Sequence, residues 1–139
     1  MGRLLGIDFG LKRVGVAISD PTNVIAFPLT TVDWEDDDYL MLQIDNLVKE
    51  YEVETIVVGY PIGMKGQITK QTKLVDDFIG RLAEHIQIPV KKIDERLSSV
   101  EAKRTLQDVG IEVSKNRGEV DKIASAIFLQ TYLDKMNKD

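Results

Sequence analysis

The chain has no cysteine and one histidine, His85, among its 139 residues. Without cysteine, neither a disulfide nor a thiolate metal site can form. No apolar run approaches the roughly 20 residues of a membrane-spanning helix. The opening MGRLLGID lacks the apolar stretch of a signal peptide, and Gly6 stands where a myristoylation signal requires Ser or Thr. A cytoplasmic protein is the expectation. Basic residues are outnumbered 18 to 23, for a formal net charge of −5, unlike the basic balance usual in a non-specific nucleic-acid binder. Five of the carboxylates, however, fall in the run 33–38 (DWEDDD), away from every motif below. That run has neither the spacing nor the glycine of a calcium loop, and reads as a helix start capped by Asp33. His85 ends an amphipathic helix and fits a surface position there better than a general base.

What is present is ordinary for a globular protein: 43% hydrophobic and 29% charged residues, in a length that suits one domain spanning 1–139. Residues 3–9 (RLLGIDF) and 13–19 (RVGVAIS) read as strands, and the short link between them permits only an antiparallel hairpin. A third strand is expected over 24–31, with Pro28 placing it at an edge or bulge. Helical spacing follows over 34–50, a short buried strand at 55–58 and a second helix at 69–86. A fifth strand covers 89–95, a helix opens at the Ser98/Glu101 capping box and runs to about Gly110, and a last helix starts at Gly118. Strand–helix–strand alternation forces parallel pairing with right-handed crossovers. The expected fold is therefore α/β: a mixed five-stranded sheet flanked by helices, with antiparallel strands at its N-terminal hairpin.

Three acids stand out by position. Asp8 interrupts an apolar strand between Gly6 and Gly10, where a lone carboxylate is costly without a compensating cation. Glu95 ends the fifth strand, and Asp121 lies in the first turn of the last helix. Small residues at Ala124 and Ser125 would let that helix press on the sheet and bring Asp121 towards the first strand. Each acid alone has an ordinary use: a turn cap for Asp8, a helix dipole for Asp121, a pair with Arg13 or Arg96 for Glu95. Converged, they would repel unless cations filled the space. Oxygen ligands alone favour Mg²⁺ or Mn²⁺. Two such ions about 3.5–4 Å apart would activate water and stabilise the leaving oxygen in phosphodiester hydrolysis. Lys12, Arg13, Arg96, Lys103, Arg104, Lys115 and Arg117 flank the acids and could hold a phosphate backbone.

Two loops bear on the same chemistry. Gly59 to Gly66 could approach a sugar-phosphate backbone or be a plain strand-to-helix turn; it lacks the Lys-Ser/Thr of a P-loop. Tyr60 there could stack on a base or pack inward. Residues 110–118 (GIEVSKNRG) could close as a lid over RNA or remain a solvated loop.

The segments GIDFGLKRVGVAISD, VVGYPIGMKG, DERLSSVEA and VDKIASAIFLQTYL resemble, in order and spacing, the motifs of the YqgF (RuvX) family. These are Holliday-junction-resolvase-like nucleases implicated in processing the precursor of small-subunit ribosomal RNA. The resemblance implies an RNase H-like fold, with Asp8, Glu95 and Asp121 as metal-binding acids. Lys12, Arg13 and Arg96 also fall on motif positions and would contact phosphate. Ser99 departs from a usual Thr, Ser125 from a usual Ala, and 64–67 lacks the acids often found there. The function so implied is a metal-dependent nuclease acting on ribosomal RNA precursor, with ribosomal particles as further partners. The rivals are a branched-DNA resolvase and a non-catalytic RNA- or ribosome-binding protein. An actin-like or sugar-kinase ATPase shares the Asp-x-Gly-x-Lys opening, but needs a duplicated domain for which 139 residues leave no room.

Overall fold

The computed structural model describes residues 2–10, 12–63, 65–94 and 117–137. Five strands, β1 (Arg3–Phe9), β2 (Arg13–Ser19), β3 (Ala26–Asp33), β4 (Val53–Tyr60) and β5 (Val90–Asp94), form one sheet in the order β3-β2-β1-β4-β5. Three helices pack on it: α1 (Asp37–Glu50), α2 (Lys70–His85) and α3 (Arg117–Met136). β1 pairs antiparallel with β2 and parallel with β4; β5 is parallel to β4 and β3 antiparallel to β2. The expected hairpin and parallel additions are both present. The expected helix at 98–110 lies outside the described residues. Among those residues, no helix is long and apolar enough to cross a membrane.

β1 is central because its sequence is apolar on both sides. Leu5, Ile7 and Phe9 face a core shared with Leu40 and Ile44 of α1 and Val75, Phe78 and Leu82 of α2. The Phe9 and Phe78 rings stack with centroids 4.4 Å apart. Alternation turns Leu4, Gly6 and Asp8 to the opposite face. There Leu4, Ala17, Val57 and Ile93 bury Phe128, Leu129 and Leu133 of α3.

The fourth strand is longer than the expected 55–58 and the fifth slightly shorter than 89–95, and side-chain hydrogen bonds explain the shifts at β3 and α1. β3 begins at Ala26, not Val24, because the Val24 and Ile25 amides donate to Asp20 Oδ1 (2.8 and 2.7 Å). It continues to Asp33, which pairs in register with Arg13. Asp33 is therefore strand, and the α1 cap is Asp36, whose Oδ1 accepts from the Tyr39 amide at 2.8 Å. Pro28 sits on the edge strand, opposite the register shift between Val16 and Ala17.

Asp20 organises the β2–β3 connection. Besides Val24 and Ile25, it accepts from the Thr22 amide (3.0 Å) and hydroxyl. The loop it shapes is tied to α3: Gln130 receives the Ala26 amide and donates to the Val24 carbonyl, and Asn137 donates to the Asn23 carbonyl. The Ile25 amide, then the Thr22 hydroxyl and the Val24 amide, hold the Asp20 carboxyl well below the ordinary carboxylate range. A depressed folded-state pKa stabilises above the unfolded value and is lost as pH falls towards the folded one. Asp20→Asn is therefore expected to lower the melting temperature by a few degrees at pH 7. The gap from wild type should shrink between pH 5 and 2, followed by thermal melts at stepped pH. A gap constant with pH would mean that the charge on Asp20 is irrelevant.

Candidate active site

Beside the carboxyl end of β1, α3 comes hard against the neighbouring strand β2. Asp8 is half-buried on the α3 face, and its register partner on β2 is Gly15. A Cβ at Gly15 would overlap the main-chain carbonyl of Asp121 and stand 2.9 Å from the Lys122 nitrogen. The first described turns of α3 thus rest directly on β2, across from Asp8. Glycine inside a strand commonly marks such an approach by another backbone. A second contact repeats it: a Cβ at Gly6 would lie 2.9 Å from Leu129 Cβ and 3.0 Å from the Ser125 carbonyl.

Ser125 fixes the height of the helix. Its side chain is fully buried, and its hydroxyl lies 2.8 Å from the Gly15 carbonyl and 3.2 Å from that of Gly6. One hydroxyl thus reaches carbonyls on both strands of the hairpin. Alanine would pack there but could not bond to them.

Arg13 stands two residues before Gly15, on the same face of β2. Its Nε donates to Asp121 Oδ2 at 3.1 Å, both side chains being about one-third exposed (32% and 29%). Lys12 is exposed in the β1–β2 turn, and its carbonyl accepts from the Trp34 amide at 2.9 Å. Arg117 is the first residue of α3. Glu95, Arg96 and Lys115 lie outside the described residues, as does most of the 110–118 loop. Among the described residues, no group of three or more His, Cys, Asp or Glu side chains is placed to hold a metal. The structure therefore brings Asp8, Asp121 and Arg13 to one place.

The loop after β4 borders this end of the sheet. The Gln71 amide donates to the Phe9 carbonyl at 3.3 Å, tying the first turn of α2 to β1 one residue past Asp8. Gly63 and Gly66 close a turn through the Gly66 amide and the Gly63 carbonyl (2.8 Å), and Gly66 needs its positive φ of 82°. The Tyr60 hydroxyl donates to Asp76 at 3.0 Å, and Lys92 Nζ lies 4.5 Å from the ring centroid. Burial, then the Asp76 bond, pushes the phenol above its ordinary pKa. Tyr60 is thus a packed residue with its hydroxyl engaged. Sequence reasoning did not single out Gly15; the signal was a glycine within an apolar strand facing Asp8 across a hairpin.

A central strand carrying an acid at its carboxyl end, flanked by an antiparallel hairpin and parallel strands and crossed by an acid-bearing helix, defines an RNase H-like fold. RuvC of T. thermophilus, solved in complex with a Holliday junction substrate, shares that fold. Its TM-score is 0.62 at 13% identity, over 99% of this chain and 97% of that one. The large terminase nuclease of thermophilic phage G20c matches with a TM-score of 0.57 at 13% identity, over 94% and 81%. The profile of the RuvX family, described as Holliday junction resolvase, matches residues 2–135, and the chain belongs to that family. An Acetivibrio thermocellus relative named "Putative pre-16S rRNA nuclease" is 44% identical over 138 residues, covering 98% of each chain. A Roseiflexus relative of the same name is 40% identical over 133 residues, covering 96% of this chain and 94% of its own. The chain is accordingly a hydrolase of phosphodiester bonds.

Proposed function

We propose that this nuclease trims the precursor of 16S ribosomal RNA in the cytoplasm, with Mg²⁺ or Mn²⁺ held by Asp8, Glu95 and Asp121. The observation that carries the site is the seating of Asp121 on Gly15, the register partner of Asp8. It sets two acids from opposite ends of the chain beside each other, and a cationic guanidinium already rests on one of them. Oxygen donors of this kind suit a hard divalent ion, which supports the metal assignment. Two bound ions would supply Lewis acidity to the phosphoryl oxygen and to the attacking water. The chain's own part is to present the carboxylates and to hold the strand in line. Lys12, exposed in the turn beside the site, would grip backbone phosphates together with Arg96, Lys115 and Arg117. The RNA assignment is supported by the shared name of the relatives.

The test uses purified chain, labelled 16S precursor RNA and a four-way DNA junction, each with Mg²⁺, Mn²⁺ or EDTA. Cleavage of the RNA in either metal, abolished by EDTA, with the junction intact, is the expected result. Cleavage of the junction alone would instead make the chain a resolvase. Tight RNA binding without cleavage in either metal would leave a binding module.

A further inference from the structure

Arg13 falls on a motif position whose expected role is to touch phosphate, yet in the structure its Nε is spent on Asp121 Oδ2 at 3.1 Å. Three features make this contact part of the site's construction. Arg13 and Gly15 share one face of β2, so the strand that receives the helix backbone also supplies the cation. Asp121 is held at its main chain by the seat on Gly15 and at its side chain by Arg13. The contact joins residues 108 positions apart, so it exists only when α3 is docked. A pair one-third exposed contributes little to stability, because solvent screens it. Its consequence is orientation: one carboxylate oxygen is fixed by an N–H, and one negative charge is offset beside a second acid.

We infer that Arg13 is a positioning residue for the Asp121 carboxylate, holding it ready for a divalent ion, and not a phosphate contact. This rests on the metal site proposed above. Groups that orient a metal's ligands commonly alter metal affinity 10–100-fold when removed.

The experiment is a Mn²⁺ titration of the free protein, by calorimetry and by the electron paramagnetic resonance of Mn²⁺. It is run on wild type, Arg13→Gln, Arg13→Lys and Asp121→Asn, with RNA affinity measured separately in EDTA. Arg13→Gln is expected to weaken Mn²⁺ binding about tenfold or more, while RNA affinity in EDTA changes less than about threefold. Arg13→Lys keeps the charge but not the directed N–H, so it should remain weakened; it also serves if the glutamine variant folds poorly. Unchanged or tighter Mn²⁺ binding in both variants would overturn the inference. So would full recovery in Arg13→Lys, or a tenfold loss of RNA affinity in EDTA. If wild type and Asp121→Asn take up Mn²⁺ alike, the metal site itself is wrong, and the role of Arg13 falls with it.

Discussion

Gly15→Ala is expected to disable the enzyme, although it adds one methyl group at a buried position. The new Cβ would occupy the place of the Asp121 carbonyl, and the obstacle is backbone, which cannot rotate away as a side chain would. The first turns of α3 must lift off β2. That strains the hydrogen bond from Ser125 to the Gly15 carbonyl and moves Asp121 away from Asp8. Overpacking of this kind costs about 1–3 kcal/mol. A displacement of roughly an ångström in a catalytic array can cost about a hundredfold in rate. Urea unfolding and cleavage rates would measure the two effects. Gly80→Ala in α2, where a Cβ meets nothing within 4 Å, is the control. Retention of full rate and stability in Gly15→Ala would show that α3 does not rest on β2 in this way.

Asp8→Asn is expected to remove metal-dependent cleavage by a hundredfold or more, on the scale of losing one preorganised electrostatic group in an active site. The shape of the side chain survives, so binding should survive too. RNA affinity in EDTA should hold or tighten, since one negative charge leaves the path of the phosphates. The melting temperature should stay level or rise, because neighbouring carboxylates repel when both are ionised. A fall of several degrees, with cleavage retained, would make Asp8 a structural residue instead of a ligand.

The architecture was legible because its signals are local. Apolar strands, short links and helical stripes read directly, and a three-residue connection leaves the first two strands only one way to pair. The boundaries of β3 and α1 moved for side chains acting over three to five residues. Asp20 pulls Val24 and Ile25 out of β3, and Asp36 takes the cap expected of Asp33. Within the site, Asp8 was conspicuous as a carboxylate inside an apolar strand. Gly15 was not, because its purpose is visible only with the backbone that lands on it, more than a hundred residues later. Arg13 shows the same limit in another form. A basic residue beside a glycine-bearing turn reads as a phosphate contact, and only the folded chain reveals the carboxylate it meets.

The attachment of α3 at both ends has a consequence for when activity begins. Its first turns are seated on Gly15 and joined to Arg13, and its far end is held by Gln130 and Asn137 to the loop that Asp20 shapes. Asp8 leaves the ribosome early in synthesis and Asp121 late. On the site proposed above, a nascent chain with its hairpin already formed therefore carries only the first of these two acids. The second would arrive only when the last helix docks on β2, so activity would wait for completion of the fold.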